Sequence, residues 1–386
     1  MLEHSVMQLL RASLFTDEPV KLEDWHTVFE EMRTQTVAAL PCNWLKKHPT
    51  HDYSSWLNFC TLQQGQWVRV MHGQDQLLKL LESNNIPCVI IKGAAAAMAY
   101  PYPTLRSMGD VDVLVKRADL DSAAKVMECN GYVLTKVKNH TGHHYNYSKD
   151  KISYELHKKI PIIDDKNEEL LSLFEKGIDE RIWHETEGYR FPTLPYLLNG
   201  LVLVFHINQH LREGLGLRQI VDWMMYVNGL DETQWAELIH LLKSTGMERL
   251  ALTTTAISQR YLGLRHIVNE NGLPTKELMN HIMEAGNFGV KAGLNGKIAA
   301  FSLSVTNETG LFRRLQVGGL SQWKAVMKYP FLRPFAWGFQ CFHILGILFK
   351  NKMGLKEIII QQQKGMEQRN LLDALGLQVD RTIRTE

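Results

Sequence analysis

The chain has 386 residues, of which 45% are hydrophobic and 22% are charged. This composition excludes a wholly disordered chain, and nothing periodic indicates a collagen, a coiled coil or a solenoid. The chain carries 43 lysines and arginines against 41 aspartates and glutamates. The resulting net charge of +2 argues neither for nor against a nucleic-acid partner. Only a local cluster of basic residues would indicate such a partner.

The five cysteines lie far apart and form no C-x-x-C pair. This spacing is not typical of a disulfide framework or of a cysteine-ligated zinc site, and it favours a reducing compartment. The N-terminal residues have no basic start and no long apolar stretch, and no run of 18 apolar residues occurs in the chain. We therefore predict a cytoplasmic protein without a transmembrane helix, peripheral to a membrane at most.

The order of patterns along the chain predicts an α+β fold with four regions. Residues 1–85 have apolar residues at helical spacing, and residues 86–195 alternate short strand and helix patterns. Residues 196–300 return to helical spacing, and residues 301–386 form a C-terminal tail or subdomain. We expect a small mixed-sheet domain at 86–195, flanked by helical regions on both sides.

The mixed region begins with a short buried strand. Residues 88–91 are apolar and rich in β-branching, and they end at Lys92-Gly93. The alanines of 94–99 predict a helix directly after the glycine, which Pro101 and Pro103 terminate. A strand pattern of period two follows over 110–115, then a helix over 117–129, strands at 132–134 and 152–157, and a loop or hairpin tip at 139–144.

The strongest chemical signal is the pair of Asp110 and Asp112. Side chains two apart on a strand point to the same face, so both carboxylates converge. Their mutual repulsion favours a bound cation, and Mg²⁺ or Mn²⁺ suits such oxygen ligands. Glu155 lies on a later predicted strand that can pair beside the first. Three carboxylates of this kind predict a metal centre for phosphoryl transfer.

A second set of residues predicts a phosphate site. Gly93 lets the backbone approach a phosphate closely at the start of a helix, and Lys92 adds a positive charge. Arg106, four residues before Asp110, can bind a phosphate with two hydrogen bonds. We therefore expect Lys92, Gly93 and Arg106 to hold a nucleotide triphosphate.

This ordered set resembles the nucleotidyltransferase superfamily with the DNA polymerase beta fold. It is most similar to the uncharacterised bacterial nucleotidyltransferase-like family, in Lys92-Gly93, Arg106, the Asp110–Val115 strand and Glu155-Leu156-His157. The resemblance implies that Asp110 and Asp112 bind metal, that Glu155 completes the triad, and that Gly93 faces the triphosphate. Ala94 departs from the superfamily turn, where a second glycine or a serine follows, so any hydroxyl contact to phosphate is lost.

Further histidines leave alternatives open. His206 and His210 share one helix face and, with Asp222, could form a helical metal-dependent phosphohydrolase site, but the absence of further obvious ligands favours a pair of histidines that pack or hydrogen-bond beside the catalytic domain. His157 shares the face of Glu155 and could orient the site. His143 and His144 fall in the predicted loop, where we expect exposure to solvent. Arg218 could instead reach the nucleotide or its acceptor.

The segment 311–356 contains eight lysines or arginines, many aromatics and no acidic residue. It could contact an anionic membrane surface, bind an RNA, or form a packed subdomain with a basic outer face. The sequence as a whole predicts transfer of a nucleoside monophosphate from an NTP, with ATP as the first guess, to an unidentified acceptor with release of pyrophosphate. A catalytically inactive nucleotide- or partner-binding protein of the same fold is the alternative.

Overall fold

In the computed structural model, the described residues are 2–49, 53–137, 144–265, 268–291, 329–350 and 355–377, with isolated positions between 312 and 326. The N-terminal region is helical, as its apolar spacing predicts. Its helices are α1 (Leu2–Arg11), α2 (Trp25–Thr34), α3 (Cys42–Lys47) and the long α4 (Tyr53–Ser83).

The mixed region follows with strands and helices in chain order. Its elements are β1 (Cys88–Ile91), α5 (Gly93–Ala97), β2 (Asp110–Val115), α6 (Leu120–Cys129), β3 (Val133–Val137), β4 (His144–Lys149), β5 (Ile152–His157), α7 (Glu168–Asp179), β6 (Ile182–Thr186) and β7 (Tyr189–Thr193). The predicted strands at 88–91, 110–115 and 152–157 are confirmed with their bounds, because each is a short alternating or apolar run.

The C-terminal part is helical in the described residues. It comprises α8 (Tyr196–Glu213), α9 (Leu217–Asn228), α10 (Glu232–Ser244), α11 (Glu248–Ile257), α12 (Thr275–Ala285), α13 (Ala336–Lys350) and α14 (Leu355–Ala374). The chain is therefore an α+β protein with a mixed sheet between helical regions, as predicted. In the described part of the chain, no helix is long and apolar enough to cross a membrane.

The described strands form one seven-stranded sheet in the order β3-β4-β5-β2-β1-β7-β6. The β1–β2, β3–β4, β4–β5 and β6–β7 pairs are antiparallel, while β2–β5 and β1–β7 are parallel. The sequence patterns did not predict β4, β6 or β7. The β6–β7 hairpin escapes a pattern search because β6 is a largely exposed edge strand without apolar alternation, and Pro192 interrupts β7.

The two faces of the sheet differ in what they bury. One face packs Val111, Val113 and Tyr154 against Trp67 and Met71 of α4 in an apolar core. The other face carries Val89, Ile91 and Leu114 into a larger core shared with the helical regions. The same second face carries Asp110 and Asp112, because they alternate with the valines of β2. The polar residues of β2 are therefore held between the sheet and helices.

The cysteines differ from the expectation. Cys42 at the start of α3 and Cys60 in α4 are joined by a disulfide bond, with their Cα atoms 6.0 Å apart. Both side chains are buried in the N-terminal core, where the packing of α3 on α4 brings them together. The wide spacing in sequence hides this pair, and the cysteines do not support a reducing compartment.

Candidate active site

The strand pairings bring the three predicted carboxylates together. In the parallel pair of β2 with β5, Asp112 lies opposite Glu155 and Asp110 lies opposite Ser153. Because side chains alternate along each strand, Asp110, Asp112 and Glu155 all project from the same face. Asp112 is buried, with 4% of its surface exposed, whereas Asp110 and Glu155 are partly exposed.

Asp112 is the most strongly paired of the three carboxylates. Its Oδ1 accepts hydrogen bonds from Lys92 Nζ at 2.9 Å and from His157 Nε2 at 2.9 Å. Burial by itself raises the pKa of Asp112, but the charge of Lys92 and the hydrogen bond from His157 outweigh it and hold that pKa well below its ordinary value. Asp112 is therefore ionised throughout the neutral range.

Asp110 has the opposite electrostatic environment. Burial, followed by repulsion from the carboxylate of Asp112, raises the pKa of Asp110 to about 6, and Glu155 adds further repulsion. The attraction of Lys92 is too small to offset these contributions. Asp110 therefore carries a negative charge at neutral pH that its buried surroundings stabilise poorly.

The turn between β1 and α5 places Lys92 at this cluster. Lys92 has φ +56° and ψ −133°, a conformation that L-residues rarely adopt, and Gly93 follows at φ +25°. Burial lowers the pKa of the Lys92 ammonium, but Asp112 and Glu155 more than compensate and raise it. The ammonium of Lys92 therefore binds the carboxylate of Asp112, while Gly93 begins the helix with its backbone amide.

Arg106, which the sequence assigns to a phosphate, binds a carboxylate of the protein in this structure. Its guanidinium is 4% exposed and forms two hydrogen bonds to Asp222 of α9, from Nε to Oδ1 at 3.0 Å and from Nη2 to Oδ2 at 2.7 Å. Tyr100 donates a further hydrogen bond to Asp222 at 2.7 Å. In this conformation Arg106 holds α9 against the turn before β2, and its remaining nitrogen, Nη1, donates to the carbonyl oxygen of Ser107 at 3.1 Å.

The histidines of α8 face the same centre. His206 and His210 share a hydrogen bond between their Nε2 atoms, 2.8 Å apart. Burial and then the charge of Lys92 lower the pKa of His206 well below its ordinary value, and burial and Arg218 lower the pKa of His210 to about 4. Both rings are neutral at pH 7. Asp222 binds Arg106 and Tyr100 instead. In the part of the chain that the structure describes, it therefore does not join His206 and His210 as a third metal ligand.

His144 lies in a strand and not in the loop that the sequence predicts. It begins β4, where it pairs with His157 across the antiparallel ladder, and its Nε2 lies 3.9 Å from Glu155 Oε1. His143 lies outside the described residues. The sequence contains a signal for β4, since tyrosines alternate with His144, Asn146 and Ser148 over 144–148.

Comparison with known proteins is consistent with this geometry. A family model described as an uncharacterised nucleotidyltransferase matches residues 21–263, more than half of the chain. The chain belongs to this family. Membership places it in the transferase class and confirms the family resemblance of the motifs.

Curated proteins and solved structures resemble this chain less than the family model does. Among curated proteins, none matches this chain. Among solved structures, six chains match, including the solution structure of the antibiotic-resistance factor ANT(2'')-Ia. That structure is 11% identical over 47% of this chain and 94% of its own, with a TM-score of 0.33.

Proposed function

We propose that this family member transfers a nucleoside monophosphate from an NTP, ATP being the first to test, to an acceptor hydroxyl with release of pyrophosphate. One observation carries the proposal: the parallel pairing of β2 with β5 sets Asp112 opposite Glu155, with Asp110 on the same face. Three carboxylates on adjacent strands, inside a nucleotidyltransferase family, match the requirements of metal-assisted phosphoryl transfer.

The residues present fit a magnesium ion. All three groups offer carboxylate oxygens, which Mg²⁺ prefers, and the raised pKa of Asp110 indicates that the neighbouring groups balance its own buried charge poorly. Bound through Asp110, Asp112 and Glu155, Mg²⁺ would neutralise charge on the triphosphate as it develops at the leaving group. Mn²⁺ has similar ligand preferences and is the alternative cofactor.

The chain supplies the remaining functions. Gly93, which is buried, begins α5 with a φ of +25° that glycine adopts most readily, and we assign its backbone N–H as a donor to a phosphate oxygen. Lys92 keeps Asp112 ionised and oriented through its hydrogen bond. A carboxylate of the cluster accepts the proton of the acceptor hydroxyl, and the hydroxyl oxygen forms a bond to the α-phosphorus. The bond from that phosphorus to pyrophosphate breaks, and pyrophosphate leaves as the anion.

Arg106 is a positioning residue in this proposal. Its two hydrogen bonds to Asp222 fix the segment before β2 relative to α9, and therefore fix where Asp110 begins its strand. His157 acts on the same principle, because its ring nitrogen lies 2.9 Å from Asp112 and 3.3 Å from Glu155. A phosphohydrolase centred on His206, His210 and Asp222 has less support, since Asp222 is bound to Arg106.

We extend the proposal to the segment 311–356, for which we infer contact with an anionic membrane surface. Four aromatic side chains before and within α13 are solvent-exposed: Phe331, Phe335, Trp337 and Phe342. The segment has eight basic residues and no acidic ones, which complements anionic headgroups. Flotation of the full chain with anionic but not neutral vesicles supports this contact, whereas retention on RNA without flotation assigns the segment to RNA. The predicted cytoplasmic location stays a prediction.

The test of catalysis compares three proteins. Purified wild type, Asp110→Asn and Asp121→Asn are incubated with each of four α-³²P-labelled NTPs, Mg²⁺ and fractions of a host lysate. Asp121 is an exposed residue of α6 and controls for loss of one surface carboxylate. We expect label in an acceptor fraction with wild type and Asp121→Asn, and none with Asp110→Asn.

Two results would contradict the proposal. Equal labelling by Asp110→Asn would remove the carboxylate cluster from the chemistry. Saturable NTP binding by wild type, without labelling of any fraction, would favour the catalytically inactive nucleotide-binding protein of the same fold.

A further inference from the structure

Beside the three aspartate and glutamate side chains lies a second group of donors with different chemistry. In the antiparallel pair of β4 with β5, His144 is opposite His157 and Asn146 is opposite Glu155. Alternation along both strands therefore brings His144, Glu155 and His157 to one face. One ligand atom from each of the three lies within 4.8 Å of the other two.

The distances within this group are short without any rearrangement. Glu155 Oε2 is 3.3 Å from His157 Nε2, and Glu155 Oε1 is 3.9 Å from His144 Nε2. His157 is fully buried, and 24% of the Glu155 side chain is exposed, so one side of the group is open to a small solute. Within the described part of the chain, this is the group of histidine, cysteine and acidic side chains close enough to share one ion.

The donor types decide which ion fits. Two imidazole nitrogens and one carboxylate suit first-row transition metals, whereas Mg²⁺ takes oxygen ligands and keeps several waters. A set of two histidines and one glutamate with an open position is also the ligand set of many catalytic zinc sites. The group therefore differs in selectivity from Asp110 and Asp112, although Glu155 belongs to both.

We propose that His144, Glu155 and His157 bind a first-row transition-metal ion such as Zn²⁺, next to the proposed magnesium ligands. Because Glu155 is shared, the functional importance of this site rests on the proposed function, while its ability to bind metal does not. Asp112 lies 2.9 Å from the same His157 Nε2, so a metal ion bound through that nitrogen would replace its hydrogen bond to Asp112, and this connects the two groups. The centre would thus respond differently to Mg²⁺ and to transition metals.

Cobalt provides a direct probe, since Co²⁺ replaces Zn²⁺ at nitrogen-containing sites and absorbs visible light there. The full-length chain, freed of metal with a chelator, is titrated with Co²⁺ while the visible spectrum is recorded. We expect absorption bands typical of nitrogen and oxygen ligation, saturating at one equivalent. Addition of Zn²⁺ should abolish the bands, and a large excess of Mg²⁺ should leave them.

Variants assign the site to its residues. His144→Ala should weaken Co²⁺ binding by more than the roughly 10–100-fold that loss of an outer hydrogen-bond partner costs. His240→Ala, which removes an exposed histidine of α10, should bind as wild type does. If His144→Ala fails to fold by circular dichroism, His144→Gln takes its place, because glutamine is a far weaker metal ligand and keeps a polar side chain.

Asp110→Asn separates this inference from the proposed function, since Asp110 does not belong to the histidine-containing group. Retention of the cobalt bands in Asp110→Asn supports an independent site. Wild-type bands without any label transfer would leave the metal site standing and the proposed function rejected. Absence of the bands in wild type, or equal bands in His144→Ala, would overturn the proposal and leave these histidines as hydrogen-bond partners of the carboxylates.

Discussion

Arg106 and Asp222 are 116 residues apart in sequence and form a two-bond ion pair that is almost completely shielded from solvent. The guanidinium is 4% exposed and the carboxylate 1% exposed. Breaking such a pair from one side leaves an uncompensated charge in the protein interior, which costs far more than the pair contributes by its presence. The pair ties the turn before β2 to α9, so its loss affects the whole centre.

We expect Asp222→Ala to lower the free energy of unfolding by about 3–5 kcal/mol, because it leaves the guanidinium of Arg106 buried without its partner. Urea unfolding followed by circular dichroism measures this. The matched control is Glu168→Ala, which removes the 67% exposed partner of Arg117 and should cost less than about 1 kcal/mol. Equal losses in the two variants would show that the buried pair has no special importance.

The sequence predicts the carboxylates of the site together with Lys92 and His157, and it misses the Arg106–Asp222 pair and the place of His144 for physical reasons. Asp110, Asp112 and Glu155 lie on strands whose alternation is visible over six residues, so their common face follows from local geometry. The Arg106–Asp222 pair depends on how α9 packs on the turn before β2, which no local pattern encodes. His144 is predicted in a loop because it ends a polar, glycine-containing run over 139–144, and the strand that begins with it carries no aliphatic residue.

Asp110 should make the metal-free protein less stable at neutral pH than at acid pH. Its pKa is raised from 3.8 to about 6 on folding, so the folded state binds the proton more tightly than the unfolded state does. This contribution to stability is fully present below pH 4 and is lost as pH rises through about 6. A shift of this size corresponds to about 3 kcal/mol.

Asp110→Asn should therefore stabilise the metal-free chain at pH 8 by up to about 3 kcal/mol and have little effect at pH 4. Thermal melts in a chelator at the two pH values measure the difference. A residue that is kept as a metal ligand is expected to lower the stability of the metal-free protein in this way. A variant that is less stable than wild type at pH 8 would mean that Asp110 has a stabilising partner and is no cation ligand.

Asp112, two residues away, should respond in the opposite direction. Its carboxylate accepts hydrogen bonds from Lys92 and His157, both of which are largely buried. Asp112→Asn removes the charge that balances the Lys92 ammonium, and we expect a loss of about 3 kcal/mol in the free energy of unfolding. Urea unfolding of both aspartate variants in a chelator at pH 8 tests the contrast. Stabilisation by both substitutions would show that the two carboxylates are equivalent.

Lys92 combines an ammonium that the site uses with a backbone conformation that costs energy. Its φ of +56° lies where L-residues are strained by their Cβ atom and glycine is not. Replacing Lys92 by alanine or by glycine removes the same ion pair with Asp112, so the two variants differ only in the backbone. We expect Lys92→Gly to be more stable than Lys92→Ala by about 1 kcal/mol, measured by urea unfolding.

The same pair of substitutions at Lys116 calibrates this comparison, because Lys116 has an ordinary extended backbone with φ −64°. There alanine should be the more stable replacement, since glycine loses more conformational freedom on folding. A strained residue whose ammonium lies on Asp112 indicates that the turn is held in place for the carboxylate cluster, at a cost that the rest of the fold offsets. Equal stability of Lys92→Gly and Lys92→Ala would remove this evidence of backbone strain.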